Sequence, residues 1–274
     1  MTNKLYYQDN WIKIYHADAR DMSFIADRSV HLIITSPPYN VGMDYPDSDD
    51  RLAHEEYMQM IREVLKECYR VLVKGGRICL NAPSCARQST GSKYAYIAVK
   101  IHNLMESIGF MAREWISWVK IPEIATKEEY EQTYRHQGWG HSTAWGSWKS
   151  PSSPYLRDIG EYIIVMEKEQ SKLEGDKSKI DITKDEFLRW SNNCWFLLPT
   201  TQQKSHHPAA FPPELPYRLI KLYSYQDNMI LDPFLGSGTT CQIAKRLKRK
   251  SIGMDISERY CKISADKCKQ KELF

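Results

Sequence analysis

The sequence predicts an α/β fold: a mostly parallel sheet with helices on both of its faces. Three observations carry the prediction. Short runs rich in Ile, Val and Leu alternate with stretches whose apolar residues recur every three or four positions. Glycines punctuate the two kinds of segment, at Gly75, Gly76 and Gly109. Of the 274 residues, 42% are hydrophobic, enough to bury one large core.

The elements follow in order. "WIKIYHADARDM" (11–22) reads as a strand and a polar turn, and "FIADRSVHLIITS" (24–36) as a helical turn leading into a second strand. "VHLIIT" is nearly continuous in apolar residues, as expected of a parallel strand covered on both faces. Met58, Ile61, Leu65, Cys68 and Leu72 mark an amphipathic helix over 55–73, and "KGGRICLN" turns into the next strand. The stretch from Tyr94 to Lys120 repeats helix, Gly109 and strand, and "GEYIIVMEKE" (160–169) is another strand. "FPPELPYRLIKLYS" (211–224) predicts a helix and "NMILD" a strand. "CQIAKRLKRK" is again helical, "SIGMDIS" a strand, and a last helix starts near Glu258. Two stretches break the alternation. One, from about 121, is rich in Trp, His, Gly and Ser; the other opens on the charged "EKEQSKLEGDKSKIDITKD" and reads as exposed. The chain is thus read as a single domain, 1–274, with irregular insertions at about 121–147 and 167–203.

Composition bounds the function. No run approaches 18 apolar residues and the start has no signal-peptide pattern, so a cytoplasmic protein without membrane spans is expected. Seven cysteines form no C-x-x-C pair and sit among apolar residues, which predicts reduced core thiols and no metal site. A formal charge of +4 is mildly basic and compatible with a polyanionic partner. The eight tryptophans and seventeen tyrosines offer faces on which bases can stack.

"ILDPFLGSGTT" (230–240) ends a strand and opens a helix. Gly236 and Gly238 let the backbone approach a ligand, and the helix start offers free N–H groups. The spacing is neither a P-loop nor a full dinucleotide turn. About twenty residues on, Asp255 ends the strand "SIGMD", where an acid accepts hydrogen bonds from ribose hydroxyls. A nucleoside cofactor without a pyrophosphate, such as S-adenosylmethionine, fits better than a dinucleotide. The alternative is a glycine turn that only packs a helix on a strand; Asp232, Pro233 and the later acid weigh against it.

Taken with this turn, "TSPPY" at 35–39 resembles the amino-group DNA methyltransferases, and the order of the two motifs is similar to that of their β class, with the catalytic half first. "HADARDMSFIADRSVHLIITSPPYN", "WGSWKSPSSPYLRDIGEYIIVMEK" and "KSHHPAAFPPELPYRLI" resemble further segments of the family, so the likeness runs along nearly the whole chain. It implies a Rossmann-like sheet with one antiparallel strand and a circularly permuted motif order. It also implies S-adenosylmethionine as methyl donor and double-stranded DNA as substrate, with base flipping.

Residue by residue, the resemblance makes the Ser36 side chain and the Pro37 carbonyl acceptors for the two hydrogens of the target amine. Pro38 would stiffen the turn and Tyr39 would stack on the flipped base. Asn40, Trp145, Trp148, Lys149 and Ser150 would border the base pocket. Asp18, Thr35, Asp232, Pro233, Phe234, Gly236, Ser237, Gly238, Thr239 and Asp255 would contact the cofactor, with His207, Phe211 and Pro212 over its methionine end. Serine at 36 resembles the cytosine-N4 type; adenine N6 is the alternative, and a non-catalytic DNA-binding subunit the rival from another class. Carbon-5 methylation needs a cysteine nucleophile, and no Pro-Cys pair occurs. The insertion at 167–203 is expected to recognise the target. A cognate restriction endonuclease and a homodimer are the further partners the resemblance suggests. The acidic loop after Tyr39 and the "KRLKRK" run (245–250) are both expected to be solvated.

Overall fold

The computed structural model describes residues 3–45, 47–87, 94–120, 160–200 and 210–269. Among them, nine strands join in one sheet: β1 (Lys4–Gln8), β2 (Ile12–His16), β3 (Val30–Thr35), β4 (Leu72–Pro83), β5 (Phe110–Val119), β6 (Gly160–Lys168), β7 (Cys194–Phe196), β8 (Met229–Asp232) and β9 (Lys250–Asp255). Their order across the sheet is β1-β2-β9-β8-β3-β4-β6-β5-β7. From β2 to β4 every neighbouring pair is parallel, and β6 runs against both β4 and β5. The expected antiparallel strand is therefore β6. The edge strand β1, antiparallel to β2, had no counterpart in the sequence reading.

Among the described residues the α-helices are α1 (His54–Val71), α2 (Ile97–Ile108), α3 (Lys184–Trp190), α4 (Glu214–Tyr223), α5 (Thr239–Arg246) and α6 (Glu258–Lys269). Alternation along the strands explains why they are apolar throughout. Ile33 and Leu231 pack with α1 and α2, whereas Leu32, Ile34 and Ile230 pack with α4 and α5 on the other face. Each such side chain contributes about 1.5–3 kcal/mol when fully buried. The predicted stop of α2 is a left-handed Gly109, φ 115°, whose N–H bonds to Glu106 O at 3.0 Å.

The chain leaves β8 through α5 toward β9 and leaves β3 through α1 toward β4, on opposite sides. The sheet therefore switches direction between β8 and β3, and the crevice at their carboxyl ends is where such sheets bind ligands.

Two charged stretches differ from expectation. Glu167 and Lys168, read as exposed, are each only 3% accessible. Glu167 pairs with Arg113 at 3.0 Å, and the Lys168 ammonium donates to the carbonyls of Tyr69 (2.6 Å) and Leu72 (2.9 Å) at the end of α1. The same insertion then forms α3, which opens on a capping box from Thr183 to Glu186, and edge strand β7; Trp190 and Trp195 are buried under them. In "KRLKRK" the helix ends at Arg246, so helical spacing no longer places the later charges. Arg249 is fully buried, donating to Asp181 Oδ1 at 2.8 Å and to the Ser224 carbonyl at 2.7 Å. Five cysteines are buried as expected, but Cys194 on the edge strand is exposed. Among the described residues no helix is long and apolar enough to cross a membrane.

Candidate active site

β3 delivers Thr35 to the switch point and the chain then turns through Ser36-Pro37-Pro38-Tyr39. The prolines lack N–H groups, so the middle of this turn has no backbone donors and presents carbonyls. The turn is held from behind. Asn40 takes a left-handed φ of 58°, and its amide donates to the Leu52 carbonyl and accepts from the Leu52 N–H, both at 2.8 Å. The Asp50 carboxylate accepts backbone N–H bonds from Asn40 at 2.8 Å and from Val41, Gly42 and Met43 at 3.0 Å. Asp50 is 4% accessible, so the acidic run read as a solvated loop carries a buried anchor for the chain after Tyr39.

The glycine turn lies opposite. Gly236 and Gly238 have φ of 49° and 78°, and a Cβ on Gly238 would fall 2.8 Å from Ser264 Cβ. Close packing against α6 and a ligand-facing backbone are thus both built into one turn. The Gly236 N–H donates to Asp255 Oδ2 and the Ser257 N–H to Oδ1, each at 2.9 Å. Burial pushes Asp255 up to about 6 against these two bonds. Asp232 is pushed up to about 6 by complete burial, against hydrogen bonds from Thr240 (2.7 Å), the Phe234 N–H (3.2 Å) and Thr35 (3.1 Å).

Between the two turns opens a cavity of about 520 Å³, within the usual range for small-molecule sites. Ser36, Pro38, Asn40, Asp18, Pro233, Phe234, Gly236 and Asp255 all border it. Burial opposes ionisation of Asp18, but the Arg20 guanidinium, 2.6 Å away, outweighs it and holds the carboxyl below its usual range. A smaller cavity of about 30 Å³ is lined by Ser36, Phe211, Asp232, Ser237 and Thr239. Pro212 is buried beside Phe211 at the start of α4. Thr35 and Asp232 are buried and bonded to each other. Trp145, Trp148, Lys149, Ser150 and His207 lie outside the described residues.

The sequence reading missed a polar chain behind Ser36. Ser36 Oγ lies 2.9 Å from the Tyr39 hydroxyl, which donates to Glu161 Oε2 at 3.0 Å. The Asn81 amide donates to the Tyr39 oxygen at 2.9 Å and to Glu161 Oε2, and Lys120 pairs with Glu161 Oε1. The strand period held a signal for this. Glu161 continues the face of Ile163 and Val165, and Asn81 that of Cys79, all three apolar residues being buried in one cluster. Polar side chains that extend an apolar face to the ligand edge of a sheet are candidates for a site.

A switch-point crevice with a glycine turn, an acid on the adjacent strand and a proline-stiffened acceptor turn across from them defines an α/β transferase. One half is suited to a nucleoside cofactor and the other to an amine. The chain belongs to the DNA methylase family of N6 and N4 methyltransferases, whose profile matches residues 30–266. It is 30% identical to the type II methyltransferase M.MjaI of Methanocaldococcus jannaschii, over 95% of this chain and 93% of that protein. Its identity to M.MjaVI of the same organism is 34%, over 70% and 88%. The PvuII DNA methyltransferase (cytosine-N4-specific) shares the fold with a TM-score of 0.70 at 18% identity, covering 99% of this chain and 91% of that one. A Thermus thermophilus protein complexed with S-adenosyl-L-methionine does so at 0.68 and 24%, covering 91% and 90%. The protein is accordingly a DNA amino-methyltransferase of the N4/N6 class that depends on S-adenosylmethionine. The residues fit that cofactor: each Asp255 oxygen takes one N–H and keeps a lone pair for a hydroxyl at the cavity wall.

Proposed function

We propose that the protein methylates N4 of a cytosine flipped out of duplex DNA, as the modification enzyme of a restriction–modification system. The observation that carries this is the place of Ser36, a neutral hydroxyl bordering both the large and the small cavity at the switch point. S-adenosylmethionine supplies an electrophilic methyl sulfonium. The chain's part is to make a poor nucleophile attack. The lone pair of an exocyclic amine is delocalised into the base, and binding both its hydrogens to Ser36 Oγ and the Pro37 carbonyl favours the tetrahedral nitrogen. Pro38 stiffens that turn, and the Tyr39 ring serves as platform for the base.

Asp255 and Asp18 hold the nucleoside end of the cofactor; the glycine turn, Phe211 and Pro212, with His207, cover its methionine end. Trp145, Trp148, Lys149 and Ser150 complete the base pocket, while Asn40 acts by holding the turn. By the resemblance, serine at this position goes mostly with cytosine, and relatives named type II methyltransferases support the restriction–modification setting; a cognate endonuclease and a homodimer belong to the same proposal. Target recognition falls to the insertion at 167–203. Its outer surface exposes Phe187, Leu188 and Leu198.

The test is product chemistry. The protein is incubated with mixed-sequence DNA and isotopically labelled S-adenosylmethionine, and the digested nucleosides are identified by mass spectrometry. N4-methylcytosine is the expected product. N6-methyladenine would overturn the base assignment while keeping the reaction class.

A further inference from the structure

Glu161 lies outside both motifs that point to the reaction, yet it terminates the polar chain that starts at Ser36. The hydrogen-bonding valences of that chain permit one arrangement of protons. A carboxylate only accepts, so the Tyr39 hydroxyl gives its single proton to Glu161 Oε2, 3.0 Å away. Asn81, 3% accessible, lies against the same carboxylate oxygen and therefore turns its Nδ2 toward it and toward the Tyr39 oxygen. With its proton committed, the Tyr39 oxygen can only accept from Ser36 at 2.9 Å. Ser36 Oγ–H thus points inward to Tyr39, and the serine lone pairs are left for the cavities that Ser36 borders.

We propose that Glu161 is a positioning residue that sets the polarity of Ser36, a role resting on the reading that Ser36 accepts an amine hydrogen. Lys120 occupies Oε1, so both carboxylate oxygens face donors, and the side chain is only 12% accessible. Without the carboxylate, the Tyr39 hydroxyl is free to donate to Ser36. The serine proton then turns outward against the amine hydrogens, and donor meets donor.

Glu161→Gln is the sharpest test because it keeps the shape. The Lys120 ammonium takes the amide oxygen, the amide NH2 faces Tyr39, and the polarity of the chain reverses. At saturating DNA and cofactor, the single-turnover methyl-transfer rate is expected to fall about 100-fold. Affinity for S-adenosylmethionine stays at its wild-type value. In a Tyr39→Phe background, itself slowed because Ser36 has lost its inward acceptor, Glu161→Gln should cost nothing more. A wild-type rate in Glu161→Gln, a full further loss in the Tyr39→Phe background, or a lost cofactor affinity would each overturn the proposal.

A second readout does not need methylation. With ¹³Cζ-labelled tyrosine, the Tyr39 resonance, assigned by its absence from Tyr39→Phe, should move in Glu161→Gln protein without ligands. An unmoved resonance overturns the proposal. A moved resonance in a protein that methylates no DNA supports the Glu161 contact and defeats the functional reading instead.

Discussion

Thr35 and Asp232, 197 residues apart in sequence, are joined by a hydrogen bond of 3.1 Å from the threonine hydroxyl to the carboxylate. One closes β3 and the other closes β8, so this bond ties the two strands together at the switch point. Thr35→Val keeps the shape and removes the donor. It should cost about 1–3 kcal/mol of stability, because a buried carboxylate loses one of its partners. The cost depends on pH. Asp232 titrates near 6 in the fold against 3.8 ordinarily, so its charge burdens the fold increasingly from about pH 4 to 6 and constantly above. Denaturant unfolding should accordingly show a larger difference between variant and wild type at pH 8 than at pH 5. Equal differences at both would detach the effect from Asp232.

Cofactor binding should follow Asp255. Its carboxyl titrates near 6, and only the ionised form can accept from two ribose hydroxyls while keeping its bonds to Gly236 and Ser257. Affinity for S-adenosylmethionine should therefore fall about tenfold between pH 7 and pH 5, since one unit below the pKa about a tenth of the acid is ionised. Calorimetric titration measures this directly. Asp255→Asn should bind weakly and with a flat profile; a steep profile in that variant would assign the titration to another group.

What could be read in advance was what local periodicity and local turns encode. β3 is apolar on both faces, α1 carries its stripe, Gly109 stops α2, and Gly236 and Gly238 turn the chain between β8 and α5. The misreadings were contacts between distant segments. Arg249 counts as a solvated cation until Asp181 and Ser224 are brought to it, and Glu167 as an exposed acid until Arg113 is paired beside it. Trp190 and Trp195 lie in the insertion expected to recognise the target, and nothing nearby in sequence shows that β7 adds to the sheet edge and buries them. Glu161 is the intermediate case: its face on β6 was legible, but its partners Tyr39 and Asn81 were not.

Asp50 supplies the prediction on the loop that borders the cavity. Four consecutive backbone N–H groups converge on its carboxylate. Asp50→Ala leaves them without that acceptor, at a cost of about 1–3 kcal/mol for charge-assisted bonds of this kind. The amides of Asn40 to Met43 should then exchange with solvent markedly faster than in the wild type, as hydrogen-exchange mass spectrometry would report. The methyl-transfer rate should fall because the turn carrying Ser36 loses its backing. Unchanged exchange over 40–43 would mean that the Asn40–Leu52 bonds alone hold the loop.

Gly238 separates two reasons for a glycine. Its φ of 78° is left-handed, which costs a residue with a Cβ about 1–2 kcal/mol. The added Cβ would also sit 2.8 Å from Ser264 Cβ and 3.1 Å from Ser264 Cα, a contact that α6 can relieve only by moving. Gly238→Ala should thus destabilise the protein by more than the conformational cost and weaken cofactor binding, since the glycine turn borders both cavities. Ser264→Gly removes the Cβ and Oγ contacts, together with the hydrogen bond of 2.7 Å to the Gly236 carbonyl. In that background Gly238→Ala should cost the conformational part and only what remains of the contact with the residue-264 Cα, so the two substitutions are less than additive in a denaturant double-mutant cycle. Additive costs would show that α6 yields to the new methyl group and that the left-handed backbone alone selects glycine at this position.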